Sequence, residues 1–150
     1  MQFTITAAGT TSASSWALAV YTVVAGNKMK HKMYCIFAKE SVKKMNGIRG
    51  KMCTQAGHAY VHTLLQAQQD WPEHVAAYLE SGHAFKITCV VDTVAELEQL
   101  QQAYADKCAT KLVTDKGLTV FTEPTTTCLG IGPISEDLIG DDLKSLKLFT

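Results

Sequence analysis

Met33-Tyr34-Cys35-Ile36-Phe37-Ala38 is an unbroken apolar run. A strand with one wet face alternates apolar and polar residues, so this run reads as a β-strand covered on both sides. The segments downstream supply the cover. Residues 51–68 hold no Pro and a single Gly, and they carry Met52, Ala56, Ala59 and Thr63 at helical spacing, as in a helix with one face packed on a sheet. Trp71-Pro72-Glu73 opens a second helix reaching about Glu80, with Pro in the first turn and Gly82 as the stop. Phe85 to Val91 is a second strand, and Asp92 or Thr93 caps a helix carrying Val94, Leu97, Leu100 and Tyr104. Lys111 to Thr114 reads as a third strand and Thr127 to Gly132 as a fourth, ended by Pro133 before a short helix near Ser135 to Leu143. Lys39 to Gly50 reads as a basic polar loop. The fold class expected is α/β: a single domain with a small four-stranded mixed sheet, helices on both faces, and the first two strands parallel.

Composition agrees with one domain. The chain has 150 residues, 47% of them apolar and 19% charged, which describes a globular protein rather than a disordered or coiled-coil one. Fourteen Lys and Arg balance fourteen Asp and Glu, which excludes attachment to nucleic acid or an anionic membrane by bulk charge alone. The five cysteines are odd in number and form no Cys-x-x-Cys pair, so they read as reduced thiols of a cytoplasmic protein. Cys35, Cys89 and Cys128 fall in apolar runs, where a thiol packs as a small hydrophobe. Residues 1–27 carry no charged side chain, and the apolar stretch Trp16 to Ala25 is too short to span a membrane. It also lacks the basic residues that precede a signal peptide's apolar core. Residues 1–31 are therefore expected to be a mobile or loosely packed extension of a domain spanning 32–150.

Two constellations could carry chemistry. At 100° per residue, Lys51, Gln55, His58 and His62 stand at roughly 0°, 40°, −20° and 20°, one narrow polar stripe on a helix otherwise rich in Ala and Met. Lys51 adds its ammonium to the positive end of that helix, a setting for a phosphate or an oxyanion. A solvated helix face accounts for the same spacing. His58 and His62 are spaced to share a zinc ion, but no third ligand accompanies them, so no metal is expected. The second constellation is Asp115-Lys116-Gly117-Leu118-Thr119 followed by Thr125-Thr126-Thr127. It puts a carboxylate at a strand end beside a turn glycine, with hydroxyls at Thr119 and Thr127 able to hold a water near it. Ordinary turn chemistry is the alternative.

Together these residues resemble a known family. Gly50-Lys51 with Gln55 and His58-Ala59, then Asp115-x-Gly117-x-Thr119, then Thr127-x-Leu129-Gly130-Ile131-Gly132-Pro133 are similar to the archaeal and eukaryotic, type 2, peptidyl-tRNA hydrolases. The ending Leu146-Lys147-Leu148-Phe149 shares the likeness, which covers about Lys32 to Thr150. The resemblance implies hydrolysis of the ester joining a peptide to the 3′ ribose of tRNA, without metal or organic cofactor, often by a homodimer. It places the catalytic roles on Lys51, Asp115, Thr119 and Thr127, with Gln55 and His58, at further motif positions, expected to bind substrate. The chain departs from the pattern at an inserted Val42 to Asn46, at Ala38, at Pro124-Thr125-Thr126 and at Lys116. A non-catalytic relative that binds RNA or a protein partner is the alternative function.

Charge is unevenly placed despite its zero sum. Eight of the fourteen cations fall within residues 28–51, against the single acid Glu40. That basic segment leads to Lys51, so Lys43, Lys44 and Arg49 are expected to bind the tRNA backbone by local steering.

Overall fold

The computed structural model describes residues 30–150. Strand β1 (His31–Ala38) is followed by helices α1 (Lys39–Lys44), α2 (Arg49–Asp70) and α3 (Pro72–Glu80). Then come β2 (Phe85–Val91), α4 (Val94–Tyr104), β3 (Thr110–Asp115), β4 (Thr125–Ser135), a 3₁₀ turn (Glu136–Leu138), α5 (Asp141–Lys144) and β5 (Lys147–Leu148). The strands form one mixed sheet in the order β3-β4-β1-β2-β5. β1 and β2 are parallel, and the other three pairings are antiparallel.

The opening run lies at the centre of this sheet, and its alternate residues feed two cores. Cys35 and Phe37 pack with Ala59 of α2, Val113 and Cys128 on one face. Tyr34 and Ile36 pack with Leu97, Leu100 and Tyr104 of α4 on the other. The strand is apolar throughout because both its faces are dry. Helix α4 starts where expected: Thr93 Oγ1 accepts from the Glu96 N–H at 3.3 Å while Glu96 Oε2 accepts from the Thr93 N–H at 2.8 Å, a reciprocal cap.

Several expectations need correction. The sheet has five strands, not four: β5 is two residues long, too short for a periodic signal, and owes its strand character to pairing with Cys89 and Val90 of β2. The Phe149 N–H adds a bond to the Thr88 carbonyl at 3.0 Å. The segment read as a basic loop contains α1, and α2 already begins at Arg49. Strand β4 runs past Pro133 to Ser135, because the pairing with β1 shifts register between Lys32 and Tyr34, where a proline without an N–H is tolerated. The helix expected near Ser135 to Leu143 divides into the 3₁₀ turn and α5. The extension expected over residues 1–31 lies, up to residue 29, outside the described residues.

Four cysteines (Cys35, Cys89, Cys108 and Cys128) are buried and Cys53 is exposed, all as free thiols. Among the described residues, no helix is long and apolar enough to cross a membrane.

Candidate active site

Helix α2 crosses the sheet over β3 and β4, and the depth of its seat is set by Gly130. A Cβ added there would stand 2.6 Å from the Ala59 carbonyl oxygen, closer than any side chain permits. Only the missing side chain lets the helix approach this closely. The polar stripe of α2 then faces the end of β3 across a cleft of about 570 Å³. Lys51, Gln55, His58 and His62 form one wall, and Lys111, Val113, Asp115, Lys116, Leu118 and Thr119 are among the residues of the other.

Asp115 is the meeting point. Its Oδ2 is ion-paired with Lys51 Nζ and accepts from Gln55 Nε2 at 2.9 Å, while Oδ1 accepts the Gly117 N–H at 2.9 Å. Gly117 holds φ +78 in the turn that aims this N–H, a conformation suited to glycine. Lys51 also donates to Thr119 Oγ1 at 3.2 Å and lies 5.7 Å from the centre of the Phe121 ring. The Lys51 ammonium, first among the causes, holds the Asp115 carboxyl below the usual carboxylate range. The Gly117 and Gln55 donors add to this against the opposing effect of burial.

Behind this pair lies a second layer. Val113 pairs with Cys128 and Thr114 with Thr126, so Thr127 is the extra residue of a β-bulge. Bulges redirect side chains near functional sites. Here the result is that Thr127 Oγ1, fully buried, donates to Gln55 Oε1 at 2.8 Å and lies 3.2 Å from the Val113 carbonyl. Since the Gln55 oxygen is occupied by Thr127, its amide nitrogen points at Asp115.

A family model described as peptidyl-tRNA hydrolase PTH2 matches residues 31–149. The chain belongs to the peptidyl-tRNA hydrolase PTH2 family. Proteins named peptidyl-tRNA hydrolase from Thermococcus onnurineus (strain NA1) and Methanococcus vannielii are each 35% identical to it, over 102 and 101 residues. One from Pyrobaculum aerophilum is 37% identical over 103 residues. Each match covers 67% of this chain and 85%, 86% and 85% of the three relatives in turn.

Within this peptidyl-tRNA hydrolase fold the candidates divide into three groups. Lys51, Gln55, Asp115 and Thr119 converge at hydrogen-bonding distance, and Thr127 supports them from the interior. His58 is exposed on the cleft wall, its ring centre 5.2 Å from that of His62. Lys43 and Lys44 on α1 and Arg49 at the start of α2 are exposed and are not among the residues lining the cleft. The sequence reading did not single out Lys111. The signal was available in strand period two, which sets residues 111, 113 and 115 on one face of β3.

Proposed function

We propose that the chain hydrolyses the ester bond between a peptide and the 3′ end of tRNA, releasing free tRNA and the peptide. The observation that carries this reading is the Lys51–Asp115 pair, joined by Gln55 and Thr119, set in an open cleft of a peptidyl-tRNA hydrolase fold.

Ester hydrolysis needs a placed water, a donor for the oxyanion, and a proton for the departing ribose oxygen. A carboxylate whose pKa is pushed down is a weak base at neutral pH, so Asp115 is suited to orienting the attacking water rather than storing its proton. Thr119, sharing the Lys51 ammonium with Asp115, helps to fix that water. As water adds to the carbonyl carbon, Lys51 stabilises the oxyanion. The bond to the 3′ oxygen then breaks, the attacking water's proton passing to the solvent that fills the open cleft and the 3′ oxygen taking its proton from that solvent. Thr127 serves by locking the Gln55 amide, which in turn holds Asp115.

The exposed cations Lys43, Lys44 and Arg49 steer the tRNA from outside the cleft. From the resemblance to a family whose members often dimerise, we infer a homodimer, which sedimentation of the purified protein reads directly, and from the free thiols we infer a cytoplasmic setting.

The decisive measurement is release of deacylated tRNA from a model peptidyl-tRNA. Lys51→Ala and Asp115→Ala should each lower turnover by about 10²- to 10³-fold, as for removal of a preorganised electrostatic group. Wild-type binding without turnover would instead mark a non-catalytic RNA-binding relative and overturn the proposal.

A further inference from the structure

Beyond the catalytic cluster, the cleft continues along two walls that the ester chemistry does not use. On the α2 side, His58 and His62 are exposed, with ring planes tilted by 34° and centres 5.2 Å apart. On the β3 side, Lys111 is exposed two residues from Val113 and four from Asp115, on the same strand face. At strand and helix rises, Lys111 lies about 13 Å along β3 from Asp115, and His62 about 16 Å along α2 from Lys51. Both walls therefore lead away from the reacting centre as one trough, with imidazoles on one side and a lysine on the other. Lys116 and the exposed Leu118 also line the cleft. Among the described residues, the one carboxylate lining the cleft is Asp115, and it is already paired with Lys51.

We propose that His58, His62 and Lys111 form a subsite for the single-stranded 3′-terminal nucleotides of the tRNA, with His62 and Lys111 selecting RNA-borne esters over small ones. This rests on the function proposed above. Three features favour a single RNA strand as the occupant. The trough carries cations with no spare acid, so it complements a phosphodiester. Its imidazoles present flat faces on which unpaired bases stack, which a duplex cannot offer. It is also continuous with the centre where the 3′ ester must react. Lys111 takes a phosphate as a point charge, and the His58–His62 shelf takes a base. The strand thus leaves the reacting centre between α2 and β3, and the basic α1 acts on the tRNA body before docking.

The test compares kcat/KM for an N-acyl-aminoacyl-tRNA with that for the corresponding N-acyl-aminoacyl-adenosine, which lacks the upstream nucleotides. His62→Ala and Lys111→Ala sit on exposed positions, and thermal melting verifies their folding. Each should lower the ratio of the two kcat/KM values by about fivefold or more, chiefly through KM for the tRNA substrate. His62→Phe, which keeps a ring but no charge, should restore most of the ratio. Lys111→Ala should reduce the dependence of log KM on log salt by about 0.7, the contribution of one phosphate contact on a single strand. Wild-type turnover with an unchanged ratio in both alanine variants overturns the subsite and leaves the function intact, and a loss in His62→Phe as large as in His62→Ala overturns the stacking role. If the wild type cleaves neither ester, the proposed function fails. Affinity for deacylated tRNA then still decides the subsite, which stands if both alanine variants bind at least fivefold more weakly and falls if they bind equally.

Discussion

Asp115 accepts from Lys51, Gln55 and Gly117 at once, and the consequence is directional. Each donor favours the charged carboxylate, so the group stays ionised to lower pH than a free aspartate, whose pKa is about 3.9. A folded-state pKa below the unfolded one stabilises the protein above the unfolded value, and that contribution is lost as acid brings the pH down through the folded pKa. Lys51→Met removes the first of the causes, so the Asp115 carboxyl should titrate at higher pH in the variant than in the wild type. Carboxyl ¹³C NMR reads the shift, and an unmoved titration would show that Lys51 does not set this charge. At this scale much of the site was legible. The spacing of Lys51, Gln55, His58 and His62 put them on one stripe, and all four line one cleft. What the spacing did not contain was the partner of each: that Gln55 turns its oxygen to Thr127 and its nitrogen to Asp115 depends on residues 60 and 72 positions away.

Two backbone features of β4 make the site possible. The bulge at Thr127 turns an extra hydroxyl toward α2, and Gly130 lets the helix settle on the strand. Gly130→Ala would force the Ala59 turn of α2 outward, at a cost of about 1–3 kcal/mol for overpacking a tight interface. Urea denaturation should show this loss. Turnover should fall further than stability explains, because Lys51 and Gln55 move with the helix. Elements with a strong internal pattern or clear start and stop signals were readable: β1, β2 and α4 from apolar pattern and the α4 cap, and α3 from its Pro72 start and Gly82 stop. The short ones were not. β5 and α1 each have too few residues to express a period, and neighbours hold them in place: β5 pairs with β2, and the Ser41 hydroxyl of α1 donates to the Thr126 carbonyl at 2.6 Å.

Over the whole molecule, the zero net charge conceals a cation-rich segment whose members have divided roles. Lys32 and Lys39 are tied to Glu136 at 2.7 Å and Asp92 at 2.6 Å, and Lys51 is committed to Asp115. Lys43, Lys44 and Arg49 remain exposed to solvent. Their effect should be long-ranged and screened. Lys43→Gln combined with Lys44→Gln should lower kcat/KM at low salt by up to about tenfold. The difference should fade as the Debye length falls to about 8 Å and below. A salt-independent deficit would mean these lysines touch the substrate directly.

The sequence by itself determined the α/β class, the doubly covered strand and the family, and it singled out the polar side chains that line the cleft, because apolar periodicity and motif spacing are local properties of the chain. Tertiary structure alone decided the fifth strand, the bulge that aims Thr127, the partners of Gln55, and the shared lining of one cleft by Lys111 and His62. Each of these depends on the pairing register or on the close approach of α2 to β4, and such distances between remote segments are set only when the two cores pack.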